Sequence, residues 1–234
     1  MKGAAGVAAA LLLIGLPAQA VWAKAPAKAQ AARDWTHNVA ATAEGGFRMG
    51  NPKARIAIVE YGSLTCPHCR HFAESAMKPL LGYVRSGKAS YEFRPFVLNE
   101  VDLAATLVAR CGGPSRFFPI AEQLYATQPE WSEKLGNLPA DEQNKIGAMG
   151  EKQQTLAIAK VSGLIPIAAA HGIPAAKAQA CLGDGGAALG LMKIRQAGEG
   201  LGVTGTPTIF VNGKKQPVYD WATLEPFLKG GAGG

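Results

Sequence analysis

Cys66-Pro67-His68-Cys69 is the segment of this chain best equipped for chemistry. Two cysteines at this spacing form a reversible disulfide when one ionises readily and the other can attack a bond made at the first. The segment follows an apolar run, Ile56-Ala57-Ile58-Val59, and opens a helical pattern. A cysteine at a helix start meets unpaired N–H groups and the positive end of the helix dipole, which favour thiolate. That makes Cys66 the ionised sulfur and leaves Cys69, one turn further in, to attack a mixed disulfide at Cys66. His68 adds to the same field when protonated or donating, and Pro67 pre-sets the helical φ of the first turn. Stabilising the thiolate stabilises the dithiol, so the disulfide becomes the stronger oxidant. Metal binding competes, because Cys66, His68, Cys69 and His71 are close in sequence. A tetrahedral site normally needs a second pair from elsewhere, and the two histidines do not converge with both sulfurs. Redox chemistry is therefore favoured over a metal or an inert disulfide, and no cofactor or metal is expected.

The elements that must position this pair follow from periodicity. Ile56 to Val59 reads as a strand buried on both faces. Phe72, Ala76, Leu80 and Val84 form a helical stripe, which Pro79 should kink or break. Tyr91 to Arg94 alternates as a strand, with Phe96-Val97-Leu98 carrying it on. From Val101 to about Gly183 only helical spacings occur, punctuated by Pro129, Pro139, Pro166 and Pro174. Phe117, Phe118, Tyr125 and Trp131 in this block read as core. A helix from Ala187 returns the chain to Thr208-Ile209-Phe210-Val211, a strand. Asn212-Gly213 then reads as a type I′ turn, Gln216 to Tyr219 as the partner strand and Trp221 to Leu228 as a closing helix. The outline is β-α-β, a helical block, then α-β-β-α. In Gly205-Thr206-Pro207-Thr208 a proline precedes a strand, where either a cis bond or an ordinary loop proline accounts for it.

The N-terminus reads as an export signal over residues 1–23. A charged start at Lys2 leads into an apolar run from Ala4 to Leu16, then Pro17 and an Ala18-Gln19-Ala20 cleavage site. The run is too short to span a bilayer. In an oxidising compartment four cysteines pair most simply as 66–69 and 111–181, although Cys111 and Cys181 could instead be separate buried thiols. The formal charge of +7 falls to about +6 without Lys2. Its basic residues are scattered, and the pair Lys214-Lys215 lacks interleaved aromatics, so no nucleic-acid role is expected.

Val59-Glu60-Tyr61, Cys66-Pro67-His68-Cys69 and Gly202-Val203-Thr204-Gly205-Thr206-Pro207-Thr208 together resemble the DsbA family of bacterial thiol:disulfide oxidoreductases, over about residues 45 to 228. The resemblance implies an α/β architecture, a thioredoxin-like fold with an inserted all-helical domain. The thioredoxin-like part would span 46–100 and 185–229 and the insertion 101–184. By composition, residues 24–45, rich in Ala, Lys and Gln, read as a flexible lead-in or a partly helical arm, and the Gly-rich 230–234 as a disordered tail. The resemblance also implies that Cys66 attacks and Cys69 is its buried partner, that His68 tunes Cys66, and that Thr206-Pro207 is a cis-proline loop against the disulfide. Glu60 falls where the family often has a charged residue under the site. It is either a proton acceptor near Cys69 or a surface carboxylate at a strand end. The implied activity is periplasmic donation of the Cys66–Cys69 disulfide to reduced exported proteins by a monomer, with reoxidation by a DsbB-type membrane quinone oxidoreductase. Thr206 stands where several DsbA oxidases have valine, and threonine there recurs among isomerase-type relatives. A reductase or isomerase of the same fold is therefore the alternative, and a chaperone-like or metal-carrying module the third.

Overall fold

The computed structural model describes residues 1–3 and 33–230. The expected signal peptide beyond residue 3, the lead-in up to residue 32 and the tail from 231 lie outside the described residues. Six strands form one sheet: β1 (Val39–Ala41), β2 (Phe47–Gly50), β3 (Ile56–Gly62), β4 (Ala89–Pro95), β5 (Thr208–Val211) and β6 (Lys214–Gln216), in the order β1-β2-β4-β3-β5-β6. β3 and β4 are parallel, joined across one face by α1 (Pro67–Arg85), and the other pairings are antiparallel. The continuous apolar run of β3 is explained by its central place, flanked by β4 and β5.

Several expectations are corrected. The segment 24–45 is not a lead-in throughout. Asp34 caps a short turn at Trp35–His37, and β1 pairs with β2 through Val39 opposite Met49 and Ala41 opposite Phe47. Gly45, at φ 84°, turns the hairpin. A three-residue edge strand of small residues leaves almost no period to read. Pro79 does not break α1, because Phe72, Ala76, Leu80 and Val84 are all fully buried and hold both halves of the helix to the core. β4 stops at Pro95, and Phe96 and Val97 bury their side chains from a loop. The partner of β5 is Lys214–Gln216, not Gln216–Tyr219. Asn212 and Gly213 both have positive φ, as a two-residue type I′ turn requires, so pairing resumes at once with Val211 opposite Lys214. Pro217 then ends the ladder, having no N–H to give.

The helical block comprises α2 (Glu100–Arg110), α3 (Pro114–Ala126), α4 (Gln128–Ser132), α5 (Ala140–Gly147), α6 (Glu151–Val161), α7 (Leu164–Ala170) and α8 (Ala175–Leu182). Phe117, Tyr125 and Trp131 are buried in it and Phe118 is half-buried. Then α9 (Gly185–Gly200) leads back to β5, and α10 (Trp221–Lys229) closes the chain. The two sheet faces differ. Ile56, Ile58, Tyr91, Phe93, Phe47 and Met49 join the large core with α1 and α3. Tyr61, Phe96 and Val203 form a small core on their own. Gly198 of α9 sits against Tyr61 so closely that a Cβ would lie 2.8 Å from its ring.

Candidate functional site

The β3–α1 junction puts Cys66 at the N-cap of α1, with extended backbone (φ −78°, ψ 121°) and Pro67 in the first turn. The N-cap side chain makes no capping bond of its own, so the sulfur sits beside the unpaired amides of the first turn. Cys66 and Cys69 are both free thiols and both buried, Cys69 completely. The Cys66 Sγ donates to the Thr206 carbonyl at 3.3 Å, and the Thr206–Pro207 bond is cis. The loop before β5 is thus brought against the first cysteine from 140 residues away.

The two sulfurs differ sharply in proton affinity. Cys66 is pulled down to about 5, chiefly by a hydrogen bond from the Cys69 side chain, opposed by burial and helped by the Thr206 side chain and the amides of Cys69 and His68. Cys69 is pushed well above the ordinary thiol range by burial first, then by its bond to Cys66 and the charges of Glu60 and Cys66. Ser63 N–H donates to its sulfur at 3.5 Å. Thr206 Oγ1 is buried with no hydrogen-bond partner, which leaves it available to a thiolate at Cys66. His68 contributes its backbone N–H to the depression of Cys66, and its side chain is exposed at the first turn of α1. Among the described residues no group of three or more His, Cys, Asp or Glu side chains gathers as a metal site.

Glu60 is 1% exposed, which excludes the surface-carboxylate alternative. Burial raises it to about 7, the Tyr91 hydroxyl bonding to it acts downward, Cys66 acts upward and Cys69 acts downward. Cys111 and Cys181 form a disulfide with a Cα–Cα separation of 5.7 Å, tying the end of α2 to α8 far along the chain.

A family model described as thioredoxin matches residues 42–229. The chain belongs to the thioredoxin family. A protein-disulfide isomerase from Novosphingobium aromaticivorans is 30% identical with a TM-score of 0.74, covering 81% of this chain and 98% of that one. Wolbachia pipientis alpha-DsbA1 has the same fold at 21% identity and a TM-score of 0.59, covering 78% of this chain and 88% of that one. A provisionally named protein-disulfide oxidoreductase of Rickettsia prowazekii is 28% identical over 73% of this chain and 56% of its own length. The thioredoxin-family chain thus spans about half the length of the curated relatives it matches.

Within this thioredoxin-family site, three residues from the helical block hold the loop Ser63–Cys66, and sequence reasoning missed all three. Asp102, fully buried, accepts from Leu64 N–H at 3.0 Å and Leu98 N–H at 2.9 Å. Burial raises its carboxyl to about 6 against the pull of these bonds. Tyr125 Oη donates to the Ser63 carbonyl, and Gln128 Nε2 donates to the carbonyls of Leu64 and Cys66. A buried loop must have its polar groups satisfied, and here the insertion does it. Asp102 lies three residues after Asn99, the N-cap of α2, so its type and place read as an ordinary first-turn acid. Gln128 gives no signal at all.

Proposed function

We propose that the protein is a periplasmic thiol oxidase of DsbA type, acting as a single chain on reduced exported proteins. A substrate thiolate attacks Cys66 Sγ of the Cys66–Cys69 disulfide, and the electron pair of the broken bond goes to Cys69. A second substrate thiolate then attacks the substrate sulfur of the mixed disulfide, and Cys66 leaves as thiolate. Two electrons pass to the protein, and a DsbB-type quinone oxidoreductase removes them. The backbone at Thr206 holds the substrate as an added strand, giving affinity with little sequence preference.

The observation that carries this reading is the asymmetry of the pair. A Cys66 held near 5 is a good leaving group at neutral pH, and Cys69 is not. Relative to an ordinary thiol, that ionisation favours the dithiol at pH 7 and moves the couple in the oxidising direction.

An isomerase or reductase role is the second reading, favoured by Thr206 before the cis proline and by the name of the Novosphingobium relative. Equilibration of the couple against glutathione buffers decides between them. An oxidase lies towards the oxidising end of the thioredoxin-fold range, and a potential close to thioredoxin's own would overturn the oxidase reading.

A further inference from the structure

Tyr91 has no place in the exchange of sulfurs, yet its hydroxyl donates to Glu60 Oε2 at 2.5 Å in the fully buried space behind the cysteines. Glu60 Oε1, the other oxygen, has no hydrogen bond within ordinary distance among the described residues. Any side chain at Gly62 would press on that oxygen, since a Cβ there would lie 2.7 Å from it. The carboxylate is therefore anchored at one oxygen by Tyr91 and kept open at the other. We propose that Tyr91 is a positioning residue for proton exchange at Cys69: its hydroxyl holds Glu60 in the orientation and charge state in which Oε1 exchanges a proton with the Cys69 thiol.

The inference rests on the dithiol chemistry proposed above, and the step balances. Substrate thiolate, the Cys66–Cys69 disulfide and neutral Glu60 give the mixed disulfide at Cys66, the Cys69 thiol and the Glu60 carboxylate. In the reverse direction Glu60 takes the proton from Cys69, whose sulfur attacks Cys66 and releases the bound thiolate. A group near 7 serves both directions at neutral pH. The ionisable groups that bear on Glu60 are Cys66 and Cys69 from α1, Tyr91 from β4 and Tyr125 from α3. Of these the Tyr91 hydroxyl donates to Oε2 and the Cys69 side chain also acts to favour the charged carboxylate, whereas Tyr125 Oη is committed to the Ser63 carbonyl.

The tyrosine itself is set in place by packing. Its ring forms part of the floor of a cleft of about 410 Å³ between α1 and α3, with Phe118 5.8 Å away between centroids. Exposed Glu74, Lys78 and Glu122 stand at the rim of the cleft. Tyr91→Phe keeps this packing and removes only the donor. Without it the carboxylate loses a bond that favours its charged form, so its proton affinity rises.

The test is oxidation of the reduced protein by oxidised glutathione, followed by stopped flow from pH 5.5 to 9. The two events are attack by Cys66 and resolution by Cys69, separated by quenching and mass measurement of the mixed disulfide. Wild type releases two glutathiones per chain, and a wild type that does not would sink the dithiol reading itself. In Y91F the resolution step shifts to higher pH, with a loss of about 5- to 10-fold at pH 6.5 that fades by pH 9. In E60Q the step near neutral pH disappears, and adding Y91F to E60Q changes the profile by less than about twofold. A Y91F profile that superimposes on wild type overturns the proposal. So does a slowing that is equal at every pH and persists in the E60Q background, which marks a structural role.

Discussion

The two cysteine pairs of this chain share an element and almost nothing else. Cys66 and Cys69 are three positions apart on one helical turn, shielded from water, and free. Cys111 and Cys181 are 70 positions apart, half-exposed, and joined. The first pair lies where amides, a hydroxyl and a buried carboxylate act on the sulfurs, so its two redox states differ in charge and in hydrogen bonding. Among the described residues the second pair packs against the large core at Cys111 and has the Lys177 carbonyl of α8 near the Cys111 sulfur. Reactivity is thus a property of the surroundings, and the bond in the helical block works as a tether.

Breaking the comparison at its strongest point gives the largest effect. Cys66→Ser abolishes disulfide transfer to a reduced peptide, whereas the Cys111→Ser/Cys181→Ser double variant keeps transfer within about twofold. The cost in the double variant falls on stability instead. Opening that loop removes up to about 4 kcal/mol in the chain-entropy picture, read as a lower urea midpoint. Equal losses of transfer in both variants would erase the distinction.

A finer contrast uses pH on the disulfide form. Asp102 has its folded proton affinity raised to about 6 from 3.8, so its contribution to stability is fully present below about pH 4 and is lost as pH rises through 6. Asp102→Asn removes that dependence, so the urea midpoint of the variant changes less than wild type between pH 5 and 7.5. An unchanged slope would show that Asp102 is not ionising there.

The smallest effect sharpens what the hydroxyl at the cis-proline loop does. Thr206→Val raises the Cys66 thiolate titration, followed at 240 nm, by about one unit and makes the couple about 30 mV less oxidising. A titration unmoved by valine would assign the depression of Cys66 to Cys69 and the helix amides alone.

The reactive pair with its strand and helix was legible because each is local, a spacing and a period, whereas the proline before β5 left a cis bond and an ordinary loop both open and took its role only from the resemblance. The insertion was legible as an unbroken run of helical spacings between Val101 and Gly183. What sequence concealed was everything that depends on approach from a distance. Glu60 could be read as buried or exposed because a single acid at a strand end has no period. Tyr91 looked like one more aromatic in an alternating strand, since its role lies in a hydroxyl meeting β3 across the ladder. Asp102, Tyr125 and Gln128 serve a loop about 40 to 65 residues earlier, and no local pattern encodes that. The partner strand was placed two residues late because the type I′ turn was recognised without carrying pairing on to Lys214 at once.

The short strand β6 has a consequence for a protein whose proposed clients are unfolded. It is an outer edge of the sheet, three residues long, with two lysines and a proline immediately behind. Lys215 Nζ reaches back to the Gly202 carbonyl, folding one of those charges over the approach to the loop. Edges of this kind are poor templates for a passing β-strand. A client chain rich in unpaired backbone is thereby discouraged from aggregating on this rim, which leaves the proposed pairing at the Thr206 backbone beside Cys66 without a rival there.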